Sequence, residues 1–260
     1  KKEFVIKNLK KNIYFNESPL GGIMNIAMFK LCSLARKNKI KVLLGGYGLD
    51  EILGGYDVLN PNLINLKNRN YLIDGKILDN NYFLKNNEKL SVNHYRNNFF
   101  SSNNKNKKIK QIQLDLLFKT KIPRTVHMID RFSMANSIEF RNPYLYYDFA
   151  KYCMEIKNRY YFKDNLGKMP MRNLMYNFDN KLEWFQKKIS IQSPQDAWLK
   201  NNQFLKILNK ILNDKNFFKE IKFISQSRIK NYLINLKKRD TFTLPLWQLI
   251  NLYYICKLFK

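Results

Sequence analysis

The chain has 260 residues, of which 45% are hydrophobic and 15% aromatic, enough to bury a sizeable core and to exclude an intrinsically disordered polypeptide. Lysine and arginine number 47 against 20 acidic residues, giving a formal net charge of +27. Such a balance suits a nucleic-acid binder, but lysine and asparagine are scattered throughout, as in "NNKNKKIKQIQ" and "ILNKILNDKNFFKEIKF", with no RNA-binding signature among them, so the charge reads as a composition bias.

Cys32, Cys153 and Cys256 are far apart and odd in number, which argues against a disulfide framework or a zinc site and for a reducing compartment. His94 and His127 have no partners at metal-ligand spacing and read as structural. The most apolar late stretch, "LPLWQLINLYYICKLF", is interrupted by Gln248 and Asn251 and falls short of the roughly 20 residues of a membrane span. A soluble, cytoplasmic protein is expected. The first residue is Lys1 rather than Met, so the chain is expected to be a piece of something longer.

Along the chain, "ESPLGG" (17 to 22) reads as a turn. "IMNIAMFKLCSLARKNK" follows, with Ile23, Ala27, Leu31 and Leu34 at helical spacing and Arg36, Lys37 and Lys39 where a helix C-terminus favours cations. "IKVLL" (40 to 44) has the composition of a buried parallel strand. It runs into Gly45-Gly46-Tyr47-Gly48, and helix, strand and glycine turn together make half of an α/β unit whose sheet is expected to continue upstream of Lys1. Residues 58–113 are Asn- and Lys-rich with weak periodicity and read as an irregular connection. From residue 114 to 260 the apolar spacing is mainly helical, with stops at "RNPYL", "DNLGKMP" and "IQSPQ".

The glycine turn carries the chemistry. Glycines at the end of a strand let backbone N–H groups approach a phosphate closely. Asp50 and Glu51 then open the next helix, where carboxylates suit the N-terminus and can also serve as hard oxygen ligands for Mg²⁺. A tight turn with an acidic cap fits the same residues. A dinucleotide fingerprint would need glycine where Glu51 stands, and the lysine-containing phosphate loop is absent.

"LLGGYGLDEILGGYD" resembles a signature of the asparagine synthetase superfamily, L-S-G-D/E-G-x-D-E-L-F-G-G-Y. Further segments match in the family's order. "ESPLGG" and a helix ending in "AR" come before it; "IDRFSMANSIEFRNPYL", "GKMPMRNLM", "KKISIQSPQDAWL" and "LWQLINLYYI" come after it. The resemblance implies an α/β fold of the adenine-nucleotide alpha-hydrolase (ATP pyrophosphatase) type. Residues 1–57 would close its parallel sheet, 58–113 would form the connection, and 114–260 would form a mainly helical part. It implies ATP and Mg²⁺ as cofactors and a carboxylate substrate that is adenylated and then amidated, aspartate by default. The ammonia would come from a glutaminase domain or partner not present in this chain.

On this resemblance Gly45 and Gly46 fall where the family wraps nucleotide and phosphate, Asp50 matches a metal-associated aspartate, and Lys168 matches a lysine on the phosphates. Glu139 and Arg141, two positions apart, either line the substrate end of the pocket or form a structural ion pair. Asp130 and Arg131 read as structural, Met134 and Ala135 as core packing.

Some family features differ. The upstream loop S-G-G-x-D-S-S does not occur in these 260 residues. Gly45 replaces a serine, and Tyr146 replaces an aspartate. Tyr47 stands where asparagine synthetases carry Glu, Asp or Gln, and a phenol is not an anion near neutral pH. This favours a sugar-acid or peptide carboxylate as the main rival to the default, aspartate. The competing expectation is a degenerate, non-catalytic member that binds RNA or an acidic partner through its basic surface.

Overall fold

The first fifteen-residue helix, α1 (Lys2–Asn16), repeats apolar residues every three or four positions and buries Val5, Leu9 and Ile13. Helix α2 (Met24–Lys37) follows the turn and packs beside it. The computed structural model describes residues 2–60, 83–85, 105–186, 193–236 and 243–259, so His94, most of the Asn/Lys-rich connection and "KKISIQ" (187 to 192) lie outside the described residues.

The helix at α2 is as expected, but its buried stripe is a different one. Ile23 is buried just ahead of the helix, and Ile26, Phe29, Cys32 and Ala35 face the core, whereas Ala27, Leu31 and Leu34 are exposed. The sequence carries two apolar stripes, and spacing alone fits both. The stripe with the aromatic ring is the buried one. Phe29 stacks on Phe15 of α1 at 5.6 Å and meets Phe132 edge-on at 5.3 Å.

Strand β1 (Val42–Leu44) leads into the glycine turn. The short helix α3 (Leu49–Ile52) comes next, then α4 (Lys105–Phe118), which runs across residue 113, and α5 (Lys121–Met134). Strand β2 (Glu139–Arg141) pairs with β1 in parallel, with Leu43 opposite Phe140. Leu43 and Phe140 turn toward the main core, while Val42 and Leu44 are 38% and 72% exposed. The expectation of a strand buried on both faces is therefore corrected: β1 is covered on one face only among the described residues. An unbroken apolar run does not distinguish the two cases; the alternation appears only in the packing.

The rest is helical: α6 (Tyr147–Glu155), α7 (Met169–Phe178), α8 (Gln195–Leu199), α9 (Asn202–Asn213), α10 (Lys215–Glu220), α11 (Gln226–Asn235) and α12 (Leu244–Leu258). The protein is thus mostly helical, with a small parallel sheet. No helix among the described residues is long and apolar enough to cross a membrane. Met134, expected in the core, is exposed, because two positions after Phe132 it lies off the helix face on which Met128, Ile129 and Phe132 are buried; Ala135 does pack on the core. Arg131 pairs with Glu17 at 2.7 Å and His127 Nε2 lies 2.8 Å from Asn16 O, both tying α5 to the end of α1.

The main core joins α1, α2 and α5 to the C-terminal helices around Trp247, Phe204 and Phe217. Asn251, which breaks the apolar stretch in sequence, is hydrogen-bonded through both its amide oxygen and its amide nitrogen in this core. Its Oδ1 accepts from Leu20 N at 2.9 Å and its Nδ2 donates to Trp247 O at 2.8 Å, while Trp247 Nε1 donates to Leu20 O at 2.8 Å. This clamp fixes the 17–22 turn to α12. Replacing Trp247 with Phe removes the indole donor and strands a buried carbonyl, so stability should fall by about 1–3 kcal/mol in urea denaturation.

A smaller core of Ile52, Leu53, Leu117, Ile122, Cys153 and Tyr161 holds α3 against α4, α5 and α6. Gln113 of α4 donates to the carbonyls of Glu51 and Ile52 at 3.1 and 3.0 Å, satisfying groups that a four-residue helix leaves open. The helix behind the glycine turn is therefore held from below by side chains of α4.

Candidate active site at the glycine turn

At the end of β1 the ladder runs one step further: Gly45 N–H donates to Arg141 O at 2.8 Å. A side chain at residue 45 has no room. A Cβ there would sit 2.6 Å from Phe140 Cζ and 2.7 Å from Asn142 Oδ1. The missing hydroxyl at Gly45 thus has a physical counterpart, the Phe140 ring across the sheet. Gly46, by contrast, has open space where a Cβ would point and is exposed. The turn is closed by an aromatic ring at Gly45 and open to a ligand at Gly46.

This packing predicts a reciprocal pair. Gly45→Ser should cost about 1–3 kcal/mol through overpacking. In a Phe140→Ala background Gly45→Ser should cost little, giving a favourable coupling energy in a double-mutant cycle read by thermal melts.

Tyr47 is half-buried and its ring lies 5.9 Å from that of Phe140, tilted by 38°. It packs against both cores. Burial raises its phenol above the usual range and nearby Cys32 adds to the rise, so the group is a neutral hydroxyl at physiological pH.

Asp50 and Lys168 come from distant parts of the chain and meet here, Oδ1 to Nζ at 2.8 Å. Their side chains are 27% and 24% exposed, respectively, so solvent reaches the pair from one side. Two backbone contacts place the lysine. Lys168 N–H donates to Leu53 O at 3.1 Å, and Met169 N–H donates to Tyr161 O at 3.1 Å. Lys168 itself has φ 62° and ψ 31°, the left-handed region, immediately before α7. Gly167 lies directly against the Gly54 carbonyl. The 166–168 turn is in this way docked onto the loop that leaves α3.

Glu51 takes no part at the surface. It is buried, and its Oε1 accepts from Tyr56 OH at 2.7 Å. Of the acidic pair read from the sequence, Asp50 alone remains at the turn. Among the described residues no three His, Cys, Asp or Glu side chains come together as a metal cage. Asp50 is the carboxylate at the turn that could contribute to holding a hard cation, which commonly keeps phosphate oxygens and waters in its shell.

Glu139 and Arg141 flank Phe140 on β2 and form an ion pair at 2.7 Å, with both side chains exposed, at 57% and 61%. The guanidinium lowers the Glu139 carboxyl, and the carboxylate raises Arg141. Strand alternation turns Phe140 toward Tyr47 and sends Glu139 to the other face. The structure thus brings Asp50 to Lys168 and Glu139 to Arg141, with Gly45 bonded to the backbone of Arg141. Sequence reasoning missed Phe140 and Asn142. The one available signal was a large ring between the charged residues of "SIEFRNP".

Compared with protein families, residues 1–257 match the model described as Asparagine synthase. No individually curated protein matches the chain.

Proposed function

Because the chain belongs to the asparagine synthase family, a family of ligase-type, ATP-using enzymes, we propose that it is the synthetase part of an ATP-dependent amide-forming ligase. The observation that carries this reading is the Asp50–Lys168 pair set beside an open glycine turn. The reaction proceeds in two displacements. A substrate carboxylate oxygen attacks the α-phosphorus of ATP, the bond to the β-phosphate bridge breaks, and pyrophosphate leaves. Ammonia then attacks the acyl carbon of the acyl-adenylate, AMP leaves, and a proton is released with the amide.

In this reading Gly45 and Gly46 bring backbone close to the nucleotide. Lys168 places its ammonium on the phosphates, where charge grows as pyrophosphate departs. Mg²⁺, when bound, would neutralise phosphate charge and act as a Lewis acid. Asp50 would hold it. Without nucleotide the two side chains neutralise each other; with nucleotide, Lys168 turns to phosphate and frees the Asp50 carboxylate for the metal.

Tyr47 and Phe140 give the turn an aromatic flank in place of an acid. This supports a carboxylate other than aspartate, such as a sugar acid or a peptide carboxylate. Glu139 and Arg141 would meet the substrate end, with the ion pair opening to do so. The deciding experiment is carboxylate-dependent exchange of labelled pyrophosphate into ATP, on the complete polypeptide, across a panel of acids that includes aspartate. Exchange with one acid class names the substrate. No exchange with any acid sinks the ligase reading, and steeply salt-dependent RNA binding in the same preparation would replace it.

A further inference from the structure

Asp50 and Lys168 belong to separate segments, and their register depends on what joins the two. Four successive carbonyls, from Asp50 to Leu53, each have a donor. Asp50 O accepts from Gly55 N at 2.6 Å, Glu51 O and Ile52 O accept from Gln113 Nε2 at 3.1 and 3.0 Å, and Leu53 O accepts from Lys168 N at 3.1 Å. Gln113 is fully buried, so water does not compete for these bonds. Lys110 lies three residues before it on α4, on the same face of the helix. Both reach Tyr161, which is also fully buried. The Tyr161 hydroxyl donates to Cys153 O at 2.9 Å and accepts from Lys110 Nζ at 3.0 Å, and Lys110 Nζ donates to Met154 O as well. Burial pushes the phenol up to about 12, while the Gln113 amide beside it works the other way. The carbonyl of Tyr161 accepts from Met169 N at 3.1 Å. The bonds close a circuit. Gln113 holds α3, Leu53 at the end of α3 holds Lys168, its neighbour Met169 is held by Tyr161, and Tyr161 returns to Gln113.

We infer that Gln113 is a positioning residue for the ligase site, acting through α3 and Tyr161 to set the register of Asp50 against Lys168. The inference rests on the ligase reading above and deepens it. Four residues make barely one turn of helix, too few to hold their own shape, so the direction of Asp50 has to be fixed from outside α3. A glutamine is suited to that task. Its nitrogen carries two donors for two consecutive carbonyls, and the group is neutral, so it adds no charge behind the ion pair. The same side chain stands against the residue that anchors the lysine turn, and one buried amide therefore governs both halves of the pair. Catalytic groups misplaced by as little as an ångström lose much of their effect, which gives such a junction leverage on the reaction without touching it.

The test measures carboxylate-dependent exchange of labelled pyrophosphate into ATP on the complete polypeptide, comparing the unchanged protein, Gln113→Met, Lys168→Met and the double variant. Methionine keeps the length of the stem and loses both donors. Gln113→Met should lower kcat about 10–100-fold, with the KM for ATP within about threefold. In the Lys168→Met background the same change should cost less than about twofold, because with the ammonium gone there is no register left to set. A second arm needs no nucleotide. In Gln113→Met the amides of Lys168 and Met169 should exchange with deuterium about tenfold faster, while those of α12 keep their rates. Should Gln113→Met fail to fold, Tyr161→Phe takes its place, keeping the ring and removing the hydroxyl, with the same pattern and a loss of about threefold or more. A normal kcat, unaltered exchange of the two amides, or a loss that multiplies in full on Lys168→Met would each overturn the inference and leave the ligase reading standing. No pyrophosphate exchange in the unchanged polypeptide with any acid would bring down the ligase reading itself, and the inference with it.

Discussion

Lys168→Met is expected to lower carboxylate-dependent pyrophosphate exchange by about 10²–10³-fold, mostly in kcat, while the protein stays folded. The magnitude is that of removing one preorganised charge from a site where negative charge develops. Methionine keeps the unbranched stem and loses the ammonium that lies 2.8 Å from Asp50. The ion pair is partly solvated, so its loss should cost no more than about 1 kcal/mol of stability. Lys168→Arg should rescue poorly, because a planar fork does not replace a compact point charge on a flexible stem. Asp50→Asn is the companion. It should reduce exchange and raise the Mg²⁺ concentration needed for half-maximal rate, a shift that Lys168→Met should not produce. Equal rates in Lys168→Met and the unchanged protein would remove this lysine from the chemistry.

Gly167→Ala is expected to be the most destabilising single change at the site, at about 3 kcal/mol or more. A Cβ at residue 167 would run into the Gly54 carbonyl, with the carbonyl carbon itself 3.1 Å away. Backbone cannot step aside as a flexible side chain can, and here it is pinned. Lys168 N–H is bonded to Leu53 O, next to Gly54, and Arg172 Nε is bonded to Gly167 O at 2.8 Å. For a protein of this size the loss corresponds to a fall in melting temperature of roughly 6–12 °C. Gly46→Ala is the control: nothing lies within 4 Å of its added carbon, so stability should stay within about 0.5 kcal/mol. A small effect at Gly167 would mean that the two loops are less closely docked than they stand.

Much of this arrangement was legible before any coordinates. The strand, the glycine turn and the helices follow from local rules, and the family from motifs in order along nearly the whole chain. What was not legible depends on which surfaces meet. α2 has two apolar stripes, and the decision between them is made by Phe15 and Phe132, rings distant in sequence. The one-sided burial of β1 cannot be read from "IKVLL", because isoleucine, valine and leucine suit a covered face and do not prove one. Asp50 and Glu51 look equivalent as neighbours, yet one turns to Lys168 and the other is bonded to Tyr56 inside. Phe140 escaped because its importance lies in the glycine opposite it, a relation that exists only once β1 and β2 are paired in register.

The left-handed backbone of Lys168 has a consequence for how the protein could be improved. A residue with a Cβ held at φ 62° costs roughly 1 kcal/mol relative to glycine, which adopts that conformation freely. Lys168→Gly should therefore leave stability within about 1 kcal/mol of its parent, the relaxed backbone offsetting the lost ion pair to Asp50, while removing the ammonium. Under the proposed function, Lys168 is a residue whose backbone conformation is stabilised by replacement while its ammonium is needed on the phosphates, a local trade between stability and activity.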